Sequence, residues 1–192
     1  MTSTSYTEWC AVRTSELDEI ARAHAAVGGT ARGRRCTTQQ INRAYAVLLA
    51  SHFQGLCRDL HSECVHHLLG VMTPAVLRNL ARAEFTRGRQ LDRGNARPSS
   101  LGADFGRLGI DLWDSLKTYD PASTGWKDDL ELLNDWRNAI AHQDFSSPKL
   151  GGATALRLAQ VRKWRISCDR PAAALDEVLR QHLQMLMGTS PW

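Results

Sequence analysis

The stretch from Thr37 to Leu69 constrains this chain most. Ile41, Tyr45, Leu48, Leu49, His52, Phe53, Leu56, Leu60 and Val65 recur there at three- and four-residue steps, with no proline to interrupt them. That spacing is one broad face of an α-helix, and a helix of this length spans about 50 Å. An apolar stripe so long has to be covered by other helices. Thr37 or Thr38 supplies a cap, and Gly70 and Pro74 end the run.

The remaining segments supply the cover. Residues 13–27 read as a helix with Leu17, Ile20, Ala21 and His24 in step. Residues 74–90 read as another, with Val76, Leu77, Leu80, Ala81 and Phe85 inward and Arg78, Arg82, Arg87 and Arg89 outward. Residues 100–117 carry Leu101, Phe105, Leu108, Leu112, Trp113 and Leu116. Gly102, Gly106 and Gly109 within them predict close packing or a break near Gly109. Trp126–His142 is amphipathic. Thr154–Trp164 reads as a short helix, and Pro171, at a first helical position after Asp169, opens a last one to about Met187. No segment shows a strand signal of any strength. The prediction is an all-α, single-domain bundle of about six helices, with residues 1–12 and 188–192 as loose ends.

Several function classes drop out on composition. No apolar run approaches the roughly 18 residues needed to span a bilayer, and the polar N-terminus has no signal-peptide core. We therefore expect no membrane association and a cytoplasmic location. Five cysteines, an odd number without a CxxC pair, read as reduced thiols. Cys57, His61, Cys64, His66 and His67 share the long helix, but Cys57 and Cys64 stand about 10 Å apart along its axis, too far for one zinc ion. No metal and no cofactor is expected. The glycine-rich basic loop Gly28–Arg35 lacks phosphate-loop spacing and reads as a solvated linker, with an RNA-backbone contact as the alternative. The net charge is +4, and Lys117, Lys127, Lys149 and Lys163 are the only lysines. The cations are thus mostly guanidinium forks, which suit phosphate. Arg87, Arg89, Arg93 and Arg97 crowd around the loop Asp92–Ser100 and form the candidate patch for an RNA backbone.

The chemistry concentrates in Asp135-Trp136-Arg137-Asn138-Ala139-Ile140-Ala141-His142. Leu130, Leu133, Trp136 and Ile140 take the buried face. Arg137, Asn138 and His142 lie on what is left, just before Ser146-Ser147-Pro148 halts the helix. Arg137 and His142 are roughly 140° apart on an ideal helix, so meeting at one ligand needs a loosened last turn or a second copy of the helix. Arginine holds phosphate oxygens in a fork, and histidine exchanges protons near neutrality. Asn138 would orient the histidine or bind substrate. The competing reading is structural: Arg137 paired with Asp135 or a distant carboxylate, Asn138 capping a turn, His142 satisfying a carbonyl.

The pattern Arg137-Asn138-Ala139-Ile140-Ala141-His142 resembles the Arg-polar-x-x-x-His signature of the HEPN superfamily of small all-helical proteins. Arg43–Leu60 resembles the long early helix of its RiboL-PSP branch, and Leu101–Gly109 its middle segment, so the likeness spans most of residues 37–145. The resemblance implies a HEPN-like bundle and a homodimer whose two motifs face one cleft. It further implies a metal-independent endoribonuclease in which Arg137, Asn138 and His142 are the catalytic residues. Such an enzyme would cleave single-stranded RNA by 2′-hydroxyl attack and leave a 2′,3′-cyclic phosphate. The setting it implies is a toxin–antitoxin or phage-defence system, with a cognate antitoxin protein as partner. The alternative within the same superfamily is a non-catalytic dimerisation or RNA-binding module.

Overall fold

A computed structural model describes residues 1–28 and 36–192, so the expected basic linker lies, from residue 29 onward, outside the described residues. Among the described residues the regular structure is entirely helical. α1 (Thr4–Glu8) runs through a π-turn (Trp9–Arg13) into α2 (Thr14–Gly28). α3 (Cys36–Gly70), α4 (Ala75–Thr86), α5 (Pro98–Gly106), α6 (Leu112–Tyr119), α7 (Trp126–His142) and α8 (Leu158–Met187) follow. No helix among them is long and apolar enough to cross a membrane.

The long stripe becomes the spine. Tyr45, Leu49, Phe53, Leu56, Leu60 and Val65 of α3 are buried, and α2, α7 and α8 pack around them. The glycine-rich segment breaks as its composition predicts. α5 ends at Gly106, Gly109 takes a left-handed φ of 81°, and α6 starts at Leu112. Gly102 allows the two short helices to touch: a Cβ there would lie 3.3 Å from the Trp113 indole nitrogen, which donates to the Pro98 carbonyl at 2.9 Å.

Three expectations are corrected. First, residues 154–187 do not form two helices. α8 starts at Leu158 and passes straight through Pro171. Val161, Trp164, Cys168, Ala172, Leu175, Leu179 and Leu183 keep one unbroken buried face across the proline. Burial of that face outweighs the roughly 3 kcal/mol that an interior proline costs. Second, α4 ends at Thr86 and has no buried residue. Val76, Leu77 and Leu80 are exposed, and only Ala81 and Phe85 lean on the core. The helix of its own packs substantially only on α3, so its apolar stripe is wider than its contact.

Third, residues 1–12 are not loose. Trp9 is buried, meets Phe53 edge-on, and donates its indole N–H to Asp169 at 3.1 Å. Two carboxylates from neighbouring helices satisfy the start of α1. Asp176 accepts from the Ser3 amide at 3.1 Å. Glu63 accepts from the amides of Thr4 and Ser5 at 2.8 and 3.0 Å, and from the Ser5 hydroxyl at 2.7 Å. At the other end, Trp192 lies against His67 although the tail after Gly188 is not helical.

Burial pushes the Glu63 carboxyl up, but the hydrogen bonds from Ser5 and Thr4 more than reverse this and leave it below its ordinary value. The stability it contributes is therefore complete above the unfolded carboxyl value and is lost as pH falls through the lower folded one. Glu63→Gln should destabilise the chain by about 2 kcal/mol at pH 7. Thermal melts should show that deficit shrinking below about pH 4.5, the ordinary value for this group.

Candidate functional site

α7 carries the site because its sequence divides the helix cleanly. Leu130, Leu133, Trp136 and Ala139 are buried, while Arg137 and Asn138 are half-buried and His142 is exposed. The helix ends at His142, just ahead of the Ser146–Pro148 run, as expected. Gln143 adopts a left-handed φ of 54°, and the Asp144 amide reaches back to the Ala139 carbonyl at 3.0 Å. Phe145 then folds in beside Trp136, with the Arg43 guanidinium 4.7 Å from its ring centre. The turn after His142 is thereby pinned to α3.

Arg137 donates to the Asn138 side-chain oxygen at 3.2 Å, and the Asn95 amide donates to the same oxygen at 2.7 Å. Asn138 therefore orients Arg137, and no hydrogen bond joins it to His142. Asp135 is not the partner of Arg137 either. It pairs with Arg97 at 2.6 Å and Lys149 at 3.5 Å. Arg137 makes no ion pair among the described residues.

Arg137 and Asn138 form one wall of an open polar cavity of about 470 Å³. Gln54 of α3 and the loop residues Asp92, Arg93, Asn95 and Arg97 form most of the remainder. His142 does not line it, in keeping with the angular offset along the helix. The four arginines proposed as a patch separate into different roles. Arg93 is exposed, lines the cavity, and has no ion pair among the described residues. Arg97 lines it too but is bridged to Glu131 and Asp135. Arg87 is exposed and faces a different groove, beside Leu77 and Leu80. Arg89 is 8% exposed and is not a surface cation. It grips Asp92 at 2.6 Å and donates to Ser62 at 2.8 Å. Sequence reasoning read the cluster by charge alone, and charge does not show which guanidiniums have found carboxylates.

The cavity loop is held by groups that the motif did not reveal. Asp104, fully buried, accepts from the amides of Gln90 and Leu91 at 2.9 and 2.8 Å. His61 faces the Asp104 carbonyl through Nε2 at 3.0 Å and Arg89 through Nδ1 at 3.2 Å. A carbonyl only accepts and a guanidinium only donates, so His61 is neutral with its proton on Nε2. Both ring nitrogens are thus taken. Asn134 donates to the Ala96 carbonyl at 3.1 Å and fixes the far end of the loop. Asn134 and Asn138, four residues apart on one face, were the available signal for this contact. Among the described residues no set of three His, Cys, Asp or Glu side chains is placed to hold a metal. Cys57, Cys64 and Cys168 are buried, which pushes their thiols up.

No family model, curated protein or solved structure matches the chain.

Burial, and then the Arg89 charge, push His61 down to about 4. The unfolded imidazole binds a proton near 6.5 and the folded one resists it, so stability is lost as pH falls from about 6.5 towards 4. The loss should reach at most about 3.4 kcal/mol. Denaturation midpoints measured across that range should slope more steeply for the native chain than for His61→Gln.

Proposed function

We propose that the chain is a HEPN-type, metal-independent endoribonuclease that works as a homodimer on single-stranded RNA. The observation that carries this is the state of the two motif side chains. His142 is exposed at the end of α7, and Arg137, aligned by Asn138, has no competing carboxylate and faces an open cavity. The structural reading of the motif asks for the opposite, namely Arg137 bound to Asp135 or a distant carboxylate and His142 bound to a carbonyl. Neither bond exists among the described residues.

In the proposed reaction the 2′-hydroxyl loses its proton to a His142 imidazole and attacks the adjacent phosphorus. The 5′-oxygen leaves with a proton from the other subunit's imidazole. Arg137 holds the phosphate oxygens as negative charge builds in the transition state. The products are a 2′,3′-cyclic phosphate and a 5′-hydroxyl, and DNA, without the 2′-hydroxyl, survives. A single chain offers one such imidazole, so acid and base together call for two copies, and a two-fold dimer is the commonest way to bring them. A cytoplasmic toxin–antitoxin or phage-defence role, with an antitoxin that masks the cleft, fits this activity.

One observation favours the non-catalytic alternative: the cavity that takes in Arg137 and Asn138 leaves His142 outside. Cleavage of single-stranded RNA in EDTA separates the two readings. The enzyme should leave cyclic phosphate ends, and His142→Ala should slow it by about 10²–10⁴-fold while RNA binding persists. Equal rates for the two proteins, or no cleavage by either with binding intact, would make the chain a binding module.

A further inference from the structure

The cavity wall has a donor and acceptor pattern that its own chemistry fixes. The Asn138 oxygen must face Arg137, because a flipped amide would set N–H against a guanidinium. Its NH₂ group is then turned away from that pair and has no partner among the described residues. Asn95 donates to the same oxygen, which fixes its amide as well, and its own oxygen has no bond among the described residues. Gln54 donates to the Leu91 carbonyl at 3.0 Å, so its oxygen is the free end. The wall thus carries two amide oxygens that only accept and one NH₂ that only donates. Among the described residues the guanidiniums of Arg93 and Arg137 have no ion pair, while the other charges in the wall cancel. Arg97 is bridged to Glu131 and Asp135, and Asp92 is gripped by Arg89.

We infer that this cavity binds one nucleotide of the RNA strand, with phosphate on Arg93 and Arg137 and a base bearing an exocyclic amino group on the oxygens of Asn95 and Gln54. A mononucleotide fits within about 470 Å³. Adenine, cytosine and guanine each offer an amino group to those acceptors. Uracil has none; its single ring N3–H can serve one of the two oxygens and leaves the other desolvated and unpaired. The choice of a nucleotide as ligand rests on the ribonuclease reading; the pocket's preference for an anion joined to an amino-bearing ring does not, and His142 takes no part in it.

The test is calorimetric titration of the full chain with 5′-AMP, 5′-CMP, 5′-UMP and inorganic phosphate. AMP and CMP should bind saturably at one site per chain, with UMP and phosphate about tenfold weaker or more. Arg93→Gln changes an exposed loop side chain, so its melting temperature should hold while every nucleotide binds about tenfold more weakly. Asn95→Ala should narrow the gap between CMP and UMP. Absence of saturable binding to the folded chain, equal binding of UMP and CMP, phosphate as tight as AMP, or an unchanged Arg93→Gln affinity would each overturn the proposal. Binding without RNA cleavage would retain the pocket and remove the enzyme. Cleavage without mononucleotide binding would do the reverse.

Discussion

The candidate site depends on one constraint, the anchoring of residues 89–97 at both ends. At the first end the buried Asp104 carboxylate takes two consecutive backbone amides, and Arg89 bonds to Asp92, Ser62 and His61. At the other end Arg97 spans Glu131 and Asp135, and Asn134 holds the Ala96 carbonyl. Between these anchors Arg93 and Asn95 are brought opposite α7. A loop that carries binding groups normally moves freely unless its backbone bonds are tied to rigid elements. Here those ties run to α3, α5 and α7, so the cavity keeps its shape before any ligand arrives.

The same economy of partners explains what is left available. Apart from the buried Asp104, which is held by two backbone amides, the carboxylates of the cavity wall and of the α7 face beside it have cations: Asp92 with Arg89, Glu131 and Asp135 with Arg97 and Lys149. The two remaining guanidiniums, Arg93 and Arg137, therefore face solvent with their charge uncancelled. His61 is the opposite case. It is held neutral by a guanidinium and a carbonyl and is inaccessible to substrate. Of the histidines on the long helix it has the most perturbed environment, and it acts by positioning the loop. A strongly shifted group at a candidate site is not always the group that does chemistry.

The fold class and the spine were legible because Ile41–Val65 and Trp126–Ile140 carry strong 3.6-residue periodicity, and the break at Gly106–Gly109 followed from backbone freedom. Local rules failed where tertiary packing outweighed them. Pro171 reads as a helix start, yet the buried face from Val161 to Leu183 carries α8 through it. Val76, Leu77 and Leu80 read as core, yet among the described residues α4 packs substantially on α3 alone. The polar residues Ser3 to Ser5 read as a loose end, since nothing local announces that Glu63 and Asp176 will cap them from two other helices. In the site, Arg137, Asn138 and His142 stood out by type and spacing. Asn95 and Gln54 did not, because an asparagine in a Gly-Asn-Ala turn and a glutamine on a helix have ordinary local explanations. Arg97 finds its carboxylates more than 30 residues away in sequence, on α7, whereas Arg89 pairs with Asp92 three residues on and is buried by its bonds to Arg58 and Ser62 of α3.

The central claim is that two copies of α7 face one groove and that cleavage needs both. Sedimentation at the concentrations used for RNA cleavage tests it most directly. The account requires a species of twice the 21.4 kDa chain mass, with specific activity rising in step with the dimer fraction on dilution and reconcentration. A chain that cleaves RNA at full specific activity as a strict monomer would contradict it.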